Sequence, residues 1–207
     1  AYAAFALVSA LHARSRDGKG REIRIPLSDI AGSTMANLGY LVESLAGPDR
    51  PRMGNDLYGA FGRDFTLKGG QQIMLVAITP RQWKGLLAVL EIEAPVAALE
   101  AELGLSFASD EGLRFDHRGR LFPIFEAAFA RKTLDELKPS FEATGACWGP
   151  YQPMSQAAED PRLIKGNPVF SDVAQPSGRT YPAAGFAGTI PQDVRRPARP
   201  ASKLGQH

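Results

Sequence analysis

At 207 residues the chain is long enough for one sizeable core or two small domains, and its apolar share of 44% and charged share of 22% are those of an ordinary soluble globular protein. The net charge of +2 is too small for a nucleic-acid-binding face, and the one basic cluster, Arg195, Arg196 and Arg199, sits in a proline-rich tail that reads as a solvated connector. A single cysteine, Cys147, excludes a disulfide framework within the chain and fits a reducing cytoplasm.

The first residues, Ala1-Tyr-Ala-Ala-Phe-Ala-Leu-Val8, form an apolar run too short to span a bilayer and lack the cationic lead of a signal peptide, so no membrane association is expected. Without an initiator methionine, and opening in what reads as mid-helix, the chain is expected to be an internal piece of a longer protein. Residues 1–16 read as a buried helix with Arg14 and Arg16 at its C-terminal end, where cations suit the helix dipole. Asp17-Gly-Lys-Gly20 is a turn, and Arg21 to Ile25 alternates polar and apolar residues as a strand does. Ser28 to Ala46 reads as a second helix with Ser28 as N-cap and Gly47-Pro48 as its stop. Gly32 and Gly39 inside it each cost roughly 1 kcal/mol against alanine, which close packing on another backbone would explain.

Pro51 to Arg63 reads as an ordered, glycine-rich and aromatic loop. A hairpin follows, with strands over residues 64–67 and 72–78 joined at Lys68-Gly-Gly-Gln71. Thr79-Pro80 starts a helix over residues 81–90 in which Trp83, Leu86, Leu87 and Leu90 share a face. Further helices are expected near 95–103, 120–131 and 133–143, the last opened by Thr133 and Glu136 at capping-box spacing. From Trp148-Gly-Pro-Tyr151 onward, prolines recur with little helical periodicity. The spaced apolar residues Phe170, Val173, Tyr181, Phe186 and Ile190 mark this stretch as an extended strap.

The ordinary catalytic signatures are missing. His12, His117 and His207 have no ligand-spaced neighbours, so no metal site is expected. Cys147, beside Trp148, reads as a core residue, since no histidine is placed to activate it. The glycines from Gly54 to Gly62 fit neither a P-loop nor a dinucleotide fingerprint. The acidic pairs Asp110-Glu111 and Glu159-Asp160 read as solvated.

The run Arg50-Pro-Arg-Met-Gly-Asn-Asp-Leu-Tyr-Gly-Ala-Phe-Gly-Arg-Asp-Phe65, followed by the Gly-Gly hairpin and by Val76-Ala-Ile-Thr-Pro-Arg-Gln-Trp83, resembles family III CoA-transferases of the CaiB/BaiF type. Gly18-x-Gly20-x-x-Ile-x-Ile25-Pro-Leu-x-Asp29 upstream is similar to that family's passage from turn to strand to helix. Trp148-Gly-Pro-Tyr151, Asp160-Pro161, Asn167-Pro-Val-Phe170 and Leu204-Gly205-x-His207 are similar to its later landmarks, in its order. The resemblance implies an α/β architecture in three parts. Residues 1–50 would be the end of a Rossmann-like large domain, 51–150 a small α/β domain with an antiparallel hairpin, and 151–207 a strap returning to the large domain.

For the full-length protein the resemblance implies a CoA-transferring enzyme acting on an acyl-CoA, with CoA moved between the C1 and C4 carboxyls of 2-methylfumaryl-(mesaconyl-)CoA. An aspartyl anhydride and thioester would carry the transfer. No cofactor is implied beyond the coenzyme A of the substrate, and two full-length chains would interlock as a homodimer. The nucleophilic aspartate is expected just upstream of Ala1, so this piece alone should be inactive and should depend on the missing segments; Asp17 and Asp29 are not substitutes. A racemase branch of the same family, which shifts a proton, has a glutamate where this sequence has Thr79. A third reading makes the piece a non-catalytic, dimer-interlocking segment.

Within the loop, Arg52 and Arg63 are candidates for gripping the substrate's free carboxylate through charge-assisted bidentate hydrogen bonds. Asn55 and the backbone amides at Gly54 and Gly59 are candidate oxyanion donors, and Tyr58 and Phe61 candidate walls of the acyl pocket. The competing reading has the arginines in structural ion pairs with Asp56 or Asp64 and the aromatics in the core.

Overall fold

In the computed structural model, which describes residues 1–206, helix α1 spans Tyr2–Asp17, α2 Leu27–Asn37 and α3 Tyr40–Ala46. The chain divides into two compact units, Ala1–Gly54 and Asn55–His207. In the first unit no residue is buried, so α1 is not the buried helix its composition suggests, and Phe5 is 77% exposed. Residues 21–25 form no strand: alternation needs a neighbouring strand to accept its hydrogen bonds, and none pairs with it among the described residues. The single helix expected over 28–46 is two, because Gly39 adopts a left-handed φ of 84° between them, and the cap of α2 is Pro26 rather than Ser28. Gly32 has nothing within 4 Å of an added Cβ, so no close backbone contact accounts for it here.

The second unit is built on a three-stranded antiparallel sheet in the order β1-β2-β3, with β1 at Phe61–Thr66, β2 at Gln72–Ala77 and β3 at Cys147–Pro150. The turn at Lys68–Gln71 forms as its Gly-Gly pair predicts, with the Leu67 amide donating to the Gln71 carbonyl at 2.8 Å. The strand β3 is not foreseen; it pairs Trp148 with Leu75 and leaves Cys147 exposed at an edge instead of in the core.

Five helices follow in sequence between β2 and β3: α4 (Pro80–Leu90), α5 (Glu93–Leu103), α6 (Glu111–Asp116), α7 (Arg118–Phe129) and α8 (Leu134–Thr144). Helices α4 and α8 open with complete capping boxes, Thr79 with Gln82 and Thr133 with Glu136. Asp110 is not merely solvated: its carboxylate accepts from the Gly112 amide at 2.7 Å and caps α6.

The core is one cluster in which Phe61 and Phe65 of β1 and Ile73, Leu75 and Ala77 of β2 meet Trp83, Leu86 and Leu90 of α4. Leu121, Phe122, Phe125 and Phe129 of α7, with Leu137 and Phe141 of α8, join it, as do Val96 and Leu99 of α5 and Phe107 after it. Phe61 is at its centre, with ring centroids 4.4 Å from Phe125, 5.2 Å from Trp83 and 5.5 Å from Phe122.

Beyond β3 the strap is more regular than its prolines suggest, with α9 at Met154–Glu159 and a hairpin of β4 (Phe170–Ala174) and β5 (Thr180–Ala184). Pro182 is tolerated because a two-stranded ribbon leaves one side of each strand unpaired. Glu159 pairs with Lys165 in the open, but Asp160 is buried rather than solvated. Its carboxylate accepts from the Arg162 amide at 2.8 Å, the Arg162 guanidinium at 2.8 and 3.1 Å, and the Gln152 amide at 3.1 Å.

Two outcomes follow from this packing. Phe125→Ala is expected to destabilise the second unit by about 3–5 kcal/mol, read as a lowered urea midpoint, because the ring fills the space between β1 and α4. Hydrogen bonds from Arg162, then from Gln152, hold the Asp160 carboxyl well below the usual carboxylate range. Its stabilising contribution is therefore present above the unfolded value of about 3.9 and lost as pH falls below it, and Asp160→Asn should flatten the acid limb of a stability–pH curve.

Candidate functional site

The loop of residues 55–60 leads into β1, and its end is set by close backbone approach. An added Cβ on Gly62 would lie 2.6 Å from Val76 Cγ1 and 3.0 Å from the Leu75 carbonyl oxygen, so only glycine lets β1 pair with β2 at this register. The Leu57 amide donates to the Gly62 carbonyl at 2.8 Å, folding the loop back onto its own strand. Gly59 turns the chain with a φ of 77°, a conformation other residues enter only with strain.

Alternation along β1 puts Phe61, Arg63 and Phe65 on the core side, and Asp64 on the other. Phe61 is fully buried and offers no surface to a ligand; it supports the loop from within. Arg63, at the edge strand, lays its guanidinium over the Phe122 ring at 4.8 Å. Its ion pairs are long, 4.0 Å to Asp56 and 3.5 Å to Glu126, and its Nε is buried without a hydrogen-bond partner. Asn55 donates to Asp64 at 3.1 Å, on the face away from Arg63. Tyr58 is half exposed and meets the Phe115 ring edge-on at 5.1 Å.

The remaining candidates belong to the first unit. Arg52 is exposed and makes no ion pair with a described residue, and Gly54 is exposed at the unit's end. Nearby, Arg50 pairs with Glu43 and covers the Tyr40 ring at 4.5 Å. The second unit therefore keeps Arg63 and Asn55 on opposite faces of β1, with Tyr58 against Phe115 of α6.

Two arginines that spacing did not single out organise the surroundings. Arg118 donates through Nε to Asp56 at 3.0 Å and through a terminal nitrogen to the Phe115 carbonyl at 2.8 Å, with its guanidinium 4.0 Å above the Phe115 ring. Arg114 is wholly buried; it donates to the Ala77 and Ile78 carbonyls at 2.9 and 3.0 Å, beside the Trp83 ring. Burial pushes the Arg114 guanidinium down, against the opposing pull of Glu111 and Asp110. No sequence signal marks either: α6, which carries Arg114, has six residues, too few to show a period, and Arg118 opens α7 with its acidic partner 62 residues away. Among the described residues no group of three or more His, Cys, Asp or Glu could hold a metal ion, and no helix is long and apolar enough to cross a membrane.

The profile of CoA-transferase family III matches residues 1–207, and the chain belongs to that family. It is 36% identical over 206 residues to the 2-methylfumaryl-CoA isomerase of Chloroflexus aurantiacus, covering 99% of this chain and 50% of that protein. An acyl-CoA transferase of Fusarium pseudograminearum is 28% identical over 165 residues, 80% of this chain and 34% of that one. The chain thus spans half or less of the length of these relatives. Among solved structures, a CaiB/BaiF family protein from Brucella suis superposes with a TM-score of 0.71 at 22% identity, over 100% of this chain and 51% of that one. Rv3272 of Mycobacterium tuberculosis follows with 0.69 at 19% identity, over 99% and 51%. The mixed α/β fold is that of CaiB/BaiF proteins.

The two loop glycines should differ in what they tolerate. Gly62→Ala meets backbone and is expected to cost more than Gly59→Ala, whose Cβ would find open space and whose cost of about 1–2 kcal/mol is conformational. Urea unfolding followed by tryptophan fluorescence checks the order, since both tryptophans, Trp83 and Trp148, lie in the second unit. A larger loss in Gly59→Ala would contradict it.

Proposed function

We propose that the full-length protein moves CoA within one molecule, between the C1 and C4 carboxyls of 2-methylfumaryl-CoA. The observation that carries this reading is the 36% identity, over 99% of the chain, to the Chloroflexus isomerase. In this reading an aspartate carboxylate attacks the thioester to give a mixed anhydride and CoA thiolate. The thiolate then attacks the aspartyl carbonyl of the anhydride, giving the aspartyl thioester and releasing the dicarboxylate. The substrate's other carboxylate attacks that thioester and expels the thiolate, which cleaves the resulting second anhydride at the substrate carbonyl to give the C4 thioester and the free aspartate. The loop's own acids are poor candidates for that nucleophile, since Asp56 is held by Arg118 and Asp64 by Asn55. The contribution of this segment is therefore binding.

Arg63 is the residue best suited to receive the free carboxylate, because its present pairs are long and its Nε is unsatisfied. Tyr58 would flank the acyl group, and the amide at Gly59 would face a developing oxyanion. Residues 1–50 would complete a large domain, 51–150 the small domain and 151–207 the returning strap of an interlocked, cytoplasmic homodimer. A proton-shifting racemase is disfavoured by the role of Thr79, whose hydroxyl accepts from the Gln82 amide at 3.2 Å as the cap of α4.

The test incubates the full-length protein with the C1 thioester of 2-methylfumarate in deuterated water and separates the products by chromatography with mass detection. The C4 thioester is expected. Because C2 of this substrate carries a methyl group and no hydrogen, proton transfer is read in parallel on a saturated 2-methylacyl-CoA. Deuterium uptake at its α-carbon, with no regioisomer formed from 2-methylfumaryl-CoA, would replace this reading by proton transfer. Arg63→Gln should raise KM about tenfold or more, the value of a charge-assisted hydrogen bond to a carboxylate. The 207-residue chain by itself should show no turnover; turnover would mean that the nucleophile lies within it.

A further inference from the structure

Two arginines compete for one carboxylate beside the candidate carboxylate-binding group. Asp56 gives Oδ2 to Arg118 at 3.0 Å, within hydrogen-bonding distance, while its Oδ1 lies 4.0 Å from Arg63, outside it. Arg63 meanwhile has a buried Nε with no partner, a state that favours capture of any acceptor within reach. Its other pair, Glu126 at 3.5 Å, is with a side chain 53% exposed, so water screens it. Asp56 lies slightly farther off than Glu126 but is the better shielded acid, with a side chain 18% exposed, and a shift of about 1 Å would bring it onto Arg63.

What opposes that shift is Arg118. Its guanidinium is fixed from two further directions, by the Phe115 carbonyl at 2.8 Å and by the Phe115 ring at 4.0 Å, so it holds Asp56 from a rigid base on α6 and α7. Asp56 is 62 residues from Arg118 in sequence, and the pair ties the loop across to the helices.

We infer that Arg118 is a positioning residue: by holding Asp56, it keeps Arg63 open to an incoming carboxylate. The availability of Arg63 is a property of the geometry, and its use by substrate rests on the function proposed above. Without Arg118, Asp56 closes onto Arg63 and the loop neutralises its own binding group.

The experiment labels the full-length protein with phenylglyoxal, which reacts with accessible guanidinium groups, and reads each arginine of this segment by peptide mass spectrometry. The exposed Arg81 and Arg131 serve as references. Arg118→Met should lower the labelling of Arg63 about fivefold or more against the references, as a bidentate carboxylate pair forms over it. Adding Asp56→Asn to Arg118→Met should return Arg63 to within about twofold of its original labelling, since the amide carries no charge to pair. Arg118→Lys, which keeps a cation on Asp56, should leave Arg63 labelled as before.

Unchanged or increased labelling of Arg63 in Arg118→Met overturns the inference, and so does a fall that Asp56→Asn fails to reverse. Labelling of the buried Arg114 in Arg118→Met overturns it too, because Arg118 would then be holding the fold and not the carboxylate. No substrate enters the measurement, so a failure of the CoA-transfer reading leaves this result standing. Conversely, the expected labelling pattern without a rise in KM for Arg63→Gln would remove the substrate role of Arg63 alone.

Discussion

The ring of Phe61, closed in by Phe125, Trp83, Phe122 and Phe65, ties the loop before it to the core behind it. A strand residue buried this completely fixes the register of its neighbours, because a slip of one position would put the ring in water and Gly62 in the core. Arg63 inherits its place from that constraint. Standing between Phe61 and Phe65 on the core side of an edge strand, it must run along α7, where Phe122 takes the flat face of the guanidinium. Burial of Phe61, worth about 2–3 kcal/mol by area alone, outweighs an exposed ion pair of at most about 1 kcal/mol, so the core places the arginine and its acidic partners only trim it.

Much of the second unit could be read from local pattern. The Gly-Gly turn, the apolar run of β2, the Trp83-Leu86-Leu90 face and the capping box of α8 rest on contacts a few residues apart, and each formed as expected; the capping box of α4 was not singled out. What escaped is of two kinds. The elements β3 and α6 span four and six residues, shorter than the window in which periodicity shows. The hairpin of β4 and β5 was hidden by Pro182, which argues against a strand only where both sides must pair. The reverse error came at residues 21–25, where alternation was present but no partner strand was. In the first unit, apolar composition suggested burial that the three helices do not supply.

The candidate site divides the same way. Gly59, Gly62 and Arg63 are set by turn and strand geometry within a few residues, so the loop could be singled out from its own sequence. The charges that tune it come from far along the chain. Nothing in spacing pairs Asp56 with Arg118, and nothing predicts that Arg114, in a short and polar-looking stretch, is the most deeply buried cation of the unit. Such pairings are decided by packing, which puts α6 and α7 beside β1.

Arg114 also accounts for how the sheet hands over to α4. At the end of β2 the Ala77 and Ile78 carbonyls accept from a guanidinium rather than from another strand, and the next residue, Thr79, begins the capping box with Pro80 locked behind it. The chain therefore leaves the sheet with its polar groups satisfied, at the cost of burying a charge whose Nε has no partner. A leucine here would spare that cost and leave two carbonyls without donors, the more damaging loss in a dry interior. The Trp83 ring on one side and the acids Asp110 and Glu111 on the other lower the penalty further. Arg114 and Arg118, one turn apart across α6 and α7, thus act in opposite directions from the same short segment: the first closes the end of β2, the second holds an acid back from Arg63.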